Sequence, residues 1–259
     1  MRAPRACFVT GTDTEIGKTL VSCALLQAWE QEGLQVVGMK PVAAGAQQVQ
    51  METPPASNQS TPWLNEDVEL LRCASTLKLP QQLVNPYLLH AAVAPHLAAR
   101  MQGVDLNLQL MLDAYQNLCA QAQGVVEGVV EGVVVEGAGG FCVPLNDQHD
   151  TSDLALQLGL PVVLVVGLRL GCINHALLTA QAIAAKGLRL AAWVANTVDA
   201  HMPELQNNVK AIHDRLQAWA PAGHPVVCAG CVPRLPEPNA AAAAAHLDWR
   251  DVNWSPSAP

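Results

Sequence analysis

Aromatic residues are scarce in this chain of 259 residues: Phe, Trp and Tyr together make up 4%. What replaces them is mainly Ala, Val and Leu, a composition suited to helices packed on a buried sheet of small β-branched strands rather than to a β-sandwich. Charge is also sparse, at 14%, and 14 Lys and Arg face 22 Asp and Glu for a net charge of −8. No run of basic residues is present to neutralise a phosphate backbone, so nucleic acid is excluded as a partner. Long apolar runs are missing too, because Glu127, Glu131 and Glu136 interrupt the most valine-rich stretch before it approaches the eighteen or so residues of a membrane span. The basic start, Met1 to Arg5, leads directly into a strand-like run without the apolar core of a signal peptide, which predicts a cytoplasmic protein. Eight cysteines lie mostly inside apolar periodic segments and are expected to be reduced, packed thiols. With 51% hydrophobic residues the chain can bury a large core, and a single domain over 1–259 is expected.

Strand-length apolar runs alternate with segments of helical period. The runs are Ala6 to Thr10, Val36 to Lys40, Val129 to Val135, Pro161 to Val166, Leu190 to Ala195 and Val226 to Ala229. Between them, Lys18 to Glu32, Glu66 to Ala74, Asp105 to Gln121, Thr151 to Leu158, Ile173 to Lys186 and Pro203 to Trp219 space apolar residues three and four apart. Repeated strand–helix–strand units need crossover connections, so the fold class is α/β: a mostly parallel sheet with helices on both faces. Ligands then bind beyond the carboxyl ends of the strands. Two segments lack a period: 46–62, polar and Pro-rich, reads as a surface loop without contacts, and 246–259 as a frayed tail after a short Ala-rich helix from Ala240.

After the first run comes Thr10-Gly11-Thr12-Asp13-Thr14-Glu15-Ile16-Gly17-Lys18-Thr19, followed at once by a helical pattern. This is a phosphate-binding loop: backbone N–H groups and a helix start cradle phosphate oxygens, Lys18 reaches the β and γ phosphates, and the Thr19 hydroxyl can ligate Mg²⁺. The usual first glycine is shifted, with Gly11 one position earlier and Thr12 in its place. Lys40 closes the second strand and points to the same crevice; considered alone it is a solvated lysine, but beside a phosphate loop it becomes a clamp on a transferring phosphoryl group. Glu136 ends the longest valine run before Gly137-Ala138-Gly139-Gly140 and can supply a hard oxygen to Mg²⁺. Asp67 reads either as a further metal group or as a helix-initial acid. Cys228 and Cys231 have redox or zinc spacing but no second pair, and are read as structural.

Taken in order, VTGTDTEIGKT, KPVAAG, NPY, PH, VEGAGG, VVGLRLGCINHALLTAQ and VANTV make the chain resemble the dethiobiotin synthetase family over most of its length. The displaced Gly11 is a feature of that family's loop. The resemblance implies a phosphate-loop NTPase fold and an ATP-dependent ligase of biotin biosynthesis. It would carboxylate 7,8-diaminononanoate with CO₂ or bicarbonate and close a ureido ring, releasing ADP and phosphate, with Mg²⁺ as cofactor. It further implies Lys40 and Lys18 as catalytic, phosphate contacts from Glu15, Ile16, Gly17, Lys18, Thr19 and Leu20, and Mg²⁺ ligation by Thr19, Asp67 and Glu136. Glu136, Gly137, Ala138 and Gly139 would line the nucleotide, with Asn196, Thr197, Val232, Pro233, Arg234 and Glu237 on the adenine side. Thr12 and Ala44 would face the substrate, and Gly171, Cys172, Ile173 and Asn174 would take its carboxylate across a homodimer interface. Ala44 stands where the family commonly has Ser or Thr, leaving only backbone for a polar contact. The competing reading of the same loop is a nucleotide switch or partitioning-type ATPase, or a degenerate paralogue, that turns over ATP without any diamine.

Overall fold

A computed structural model describes residues 4–48, 62–120, 129–220 and 223–256. Its centre is a six-stranded sheet of β1 (Arg5–Gly11), β2 (Val36–Met39), β7 (Gly132–Glu136), β8 (Val162–Leu168), β9 (Leu190–Thr197) and β10 (Val227–Val232). The order across the sheet is β10-β9-β8-β1-β7-β2, and every neighbouring pair is parallel. Strand side chains alternate between two helical layers. On one face Cys7, Val9, Val134, Val163 and Val194 pack under α1 (Lys18–Gln31), α2 (Glu66–Ala74) and α9 (Ala240–Ala244). On the other, Phe8, Val133, Val135 and Val162 meet α3 (Gln81–Val84), α5 (Leu108–Ala120) and α6 (Thr151–Leu158), while Leu164, Val166 and Trp193 meet α7 (Cys172–Ala185) and α8 (Leu205–Trp219). Strands covered on both faces have no need of alternation, which is why they read as unbroken valine runs. All eight cysteines are free. Among the described residues no helix is long and apolar enough to cross a membrane.

The structure departs from the sequence expectations at four places. Segment 46–62 is not a contact-free loop at its start: Ala46 is buried, and β4 (Gln47–Gln48) pairs antiparallel with β5 (Trp63–Leu64), just past the segment, while residues 49–61 lie outside the described ones. A second small sheet joins β3 (Val42–Ala44) to β6 (Tyr87–Leu89), strands too short to show a period, and α4 (Pro95–Gln102) follows it. The boundary signals of α4, Pro95 at its start and the left-handed Gly103 at its end, are written in the chain. The seventh strand starts at Gly132, because Val129 is exposed at the bottom edge, and Glu127 lies outside the described residues. Finally, the tail is not frayed as far as Pro256: Trp249 and Val252 are buried, and Trp254 packs edge-on against Trp29, with ring centroids 5.0 Å apart.

Candidate active site

The carboxyl ends of β1, β2 and β7 place three functional segments side by side. Gly11 ends β1 with no room for a side chain, since a Cβ there would lie 2.7 Å from the Ile16 side chain. That contact explains the early glycine: Ile16 is folded back under the loop and fully buried. Glu15 and Gly17 adopt positive φ, 56° and 89°, which turns successive amides inward before α1. No side chain caps the start of α1, so its first N–H groups remain available to an anion. The loop is braced from β9, where Asn196 Nδ2 donates to the Ile16 carbonyl at 2.8 Å.

Charges converge beneath this loop. Lys18 Nζ donates to the Asp13 carbonyl at 2.9 Å, and Thr19 Oγ1 donates to Glu136 Oε1 at 2.9 Å. The same Glu136 oxygen accepts from Lys40 Nζ at 2.6 Å, and Lys40 also donates to Asp67 Oδ2 at 2.7 Å. Asn85 fixes the Lys40 backbone by donating to its carbonyl at 2.7 Å. Burial lowers the Lys18 pKa to about 8, with Glu136 acting against the shift. Burial acts on Lys40 in the same direction, but Glu136 and Asp67 outweigh it and hold the ammonium above its ordinary range. Asp67 is pushed up by burial and pulled further down by Lys40, so it stays ionised below the usual carboxylate value. Lys40 is therefore no solvated lysine, and Asp67 is more than a helix-initial acid.

The donors fit a small hard cation. Glu136 is fully buried, and its Oε2 has no hydrogen-bond partner. That orphaned oxygen, the Thr19 hydroxyl on the other oxygen of the same carboxylate, and the Asp67 carboxylate across Lys40 offer the oxygen chemistry that Mg²⁺ prefers. Among the described residues no three His, Cys, Asp or Glu side chains form a metal cluster, so phosphate oxygens and water would complete the shell.

A cleft of about 1110 Å³ opens above these groups, floored by Lys18, Thr19, Lys40 and Asp67 and walled by Ala44, Leu64, Val93 and Pro95. Glu15, Gly17, Ala138 and Gly139 also line it. Gly137 lies beneath, where a Cβ would approach Phe8 to 3.0 Å, and Leu20 is half-buried in α1. Thr12 is turned away, its hydroxyl accepting from the Gly167 N–H at 3.4 Å. Asn196 and Thr197 end β9 beside the loop; Val232 is fully buried at the end of β10, which leaves it only backbone to offer. Pro233, Arg234 and Glu237 are exposed beyond it, with Arg234 Nη1 donating to the Val198 carbonyl at 2.6 Å. Gly171, Cys172, Ile173 and Asn174 open α7 but do not line this cleft, and the Cys172 side chain is turned into the core. Glu131, by contrast, is exposed at the far end of β7, where it accepts from the Gln35 N–H.

Several contributors were not singled out by sequence. Asp13 pairs with Arg169, tying the phosphate loop to the turn before α7. Trp63, next to the cleft-lining Leu64, stacks on His90 at 3.7 Å between ring centroids. Asn65 caps α2, a role legible in Asn65-Glu66-Asp67 as a helix start.

A parallel sheet carrying a phosphate loop after β1, with an acidic and a basic group from neighbouring strand ends, defines a phosphate-loop NTPase. A family model described as an AAA domain matches residues 5–242. A protein named ATP-dependent dethiobiotin synthetase BioD from Janthinobacterium sp. (strain Marseille) is 51% identical over 98% of this chain and 99% of its own. Another of that name, from Ralstonia nicotianae, is 52% identical over 93% of this chain and 94% of its own. A solved structure of a ParA family ATPase from Chlorobium tepidum TLS is 11% identical, with a TM-score of 0.49 over 90% of this chain and 86% of that one. The chain belongs to the ATP-dependent dethiobiotin synthetase family.

Proposed function

We propose that this protein is an ATP-dependent cyclo-ligase that converts 7,8-diaminononanoate, CO₂ and ATP into dethiobiotin, ADP and phosphate. The observation that carries the reading is the Lys40 ammonium, buried between Glu136 and Asp67 at the floor of a cleft large enough for nucleotide and diamine together. One amine of the diamine captures CO₂ as a carbamate. A carbamate oxygen attacks the γ-phosphorus and ADP leaves, giving a carbamic-phosphoric anhydride. The second amine then attacks the carbamate carbon, closes the ring and expels phosphate, the amines having lost their protons along the way. No protein nucleophile is needed; positioning and charge neutralisation suffice. Lys18 and the amides opening α1 hold the phosphates, and Lys40 meets the charge that develops on the transferring phosphoryl group. Thr19, Asp67 and Glu136 would hold Mg²⁺, which supplies further neutralisation of the phosphate charge. Ala138 and Gly139 lie along the nucleotide, and Asn196, Thr197, Val232, Pro233, Arg234 and Glu237 lie on its adenine side.

The diamine lies over Ala44 against the apolar wall, with Thr12 supporting the loop from behind rather than touching substrate. Its carboxylate is taken by the turn Gly171 to Asn174 from a second copy of the chain, through the N–H groups of Gly171, Ile173 and Asn174, the Cys172 N–H already donating to the Arg169 carbonyl at 3.0 Å. Supporting the homodimer is the position of that turn outside its own chain's cleft, together with apolar exposure on both sides: Leu170 is 92% exposed beside the turn, Val93 is exposed before α4, and Leu97 and Met101 are exposed along it. A cytoplasmic location belongs to the same reading. Labelled bicarbonate tests the chemistry. With ¹⁸O-bicarbonate in a prompt assay, one labelled oxygen is expected in the released phosphate, because the carbamate oxygen leaves with phosphorus. Phosphate carrying no such label would exclude the anhydride.

A further inference from the structure

Ala44 offers the substrate no side-chain hydrogen bond, so the polar character of that wall depends on how its peptide is held. The Ala44 carbonyl accepts from Asn65 Nδ2 at 3.0 Å. Through its other side-chain atom the same residue acts on a different element: Asn65 Oδ1 accepts from the Val68 N–H at 3.3 Å and so caps α2. Two residues after the cap comes Asp67, whose carboxylate grips Lys40. Asn65 is 8% exposed, and the pairing of β4 with β5 holds its segment against the end of β3.

We infer that Asn65 is a positioning residue that keeps two walls of the cleft in register, the substrate-facing end of β3 and the start of α2 that carries Asp67. Only an amide performs both tasks. Serine supplies the capping oxygen but no group long enough to reach the Ala44 carbonyl, and aspartate supplies the cap while setting a carboxylate oxygen against that carbonyl. The inference rests on the ligase reading above, because it assigns the β3 wall to the diamine.

The test compares wild type, Asn65→Ser, Asn65→Asp and Asn65→Ala in diamine-dependent ADP release, with Mg·ADP affinity and melting temperature measured on each. Asn65→Ser is expected to raise the diamine KM about tenfold, the scale of one buried hydrogen bond, while Mg·ADP affinity stays within about twofold of wild type. Asn65→Ala, which loses the cap as well, is expected to weaken Mg·ADP about fivefold in addition. Asn65→Asp repeats the serine pattern with an equal or larger KM effect, and serves if the serine variant folds poorly. A purely structural role would lower melting temperature and kcat together in all three and leave KM unmoved; that pattern, or a wild-type KM in Asn65→Ser and Asn65→Asp, overturns the inference. A wild-type protein that shows no diamine-dependent turnover overturns instead the ligase reading beneath it.

Discussion

Lys18 and Lys40 lie in one site and titrate in opposite directions, because burial acts on both while only Lys40 bonds to two carboxylates. Lys18 is held by the neutral Asp13 carbonyl, which leaves its ammonium poised near pH 8 in the free protein. Phosphate oxygens arriving at Lys18 favour its charged form, so nucleotide binding above that pH should draw in a proton. Calorimetry of ADP binding at pH 8.5 in two buffers of different ionisation enthalpy is expected to show net proton uptake, and at pH 6.5 almost none. Equal, near-zero uptake at both would mean that Lys18 is already fully charged. The sign for stability is the reverse of the common lysine case. The depressed folded pKa means that the unfolded chain holds more protons between about 8 and 10.5, so this group favours folding as pH rises through that window. None of this was legible from the residue alone. Sequence placed Lys18 through its motif and Lys40 at a strand end, but the sign of the Lys18 shift comes from its burial, and that of Lys40 from carboxylates 27 and 96 residues away.

The elements that could be read in advance are those long enough to repeat their pattern. The helices at 66–74 and 151–158 fall where the apolar spacing places them, and the Val133 to Val135 and Val162 to Val166 runs became strands covered on both faces. Strands β3, β4, β5 and β6 have two or three residues each, too few to distinguish alternation from chance, although β3, β4, β5 and the start of α4 wall the cleft. The tail was illegible for another reason: its partner is a bulge on a distant strand. Gly230 sits at φ 146°, where the register with β9 shifts; it bridges to Leu247, and the Asp248 N–H donates to the Ala229 carbonyl at 2.7 Å. A Cβ at Gly230 would lie 2.1 Å from the His246 carbonyl oxygen, a contact with backbone that no rotamer relieves. Gly230→Ala is therefore expected to cost about 2–3 kcal/mol in urea unfolding and to expose Trp249 and Trp254 to quenchers. Wild-type stability with unchanged fluorescence would show that the tail docks independently of the bulge.

At the scale of the whole molecule, strand order decides the chemistry. Placing β1 between β8 and β7 brings the phosphate loop beside Glu136 on one side and within reach of Asn196, on β9, on the other, while β2 beyond β7 delivers Lys40. Sequence gave the six runs and their parallel class from crossover length, but not this order, because the order follows from which valine faces fit together. Identity of 51% to a protein named ATP-dependent dethiobiotin synthetase over nearly the full chain, joined to this geometry, favours synthesis over a nucleotide switch. The two readings part on a single observable. ADP release by the purified protein with Mg·ATP and bicarbonate should depend strictly on 7,8-diaminononanoate, with a product of dethiobiotin's mass formed one for one with ADP. ATP turnover at the same rate with and without the diamine would contradict the account.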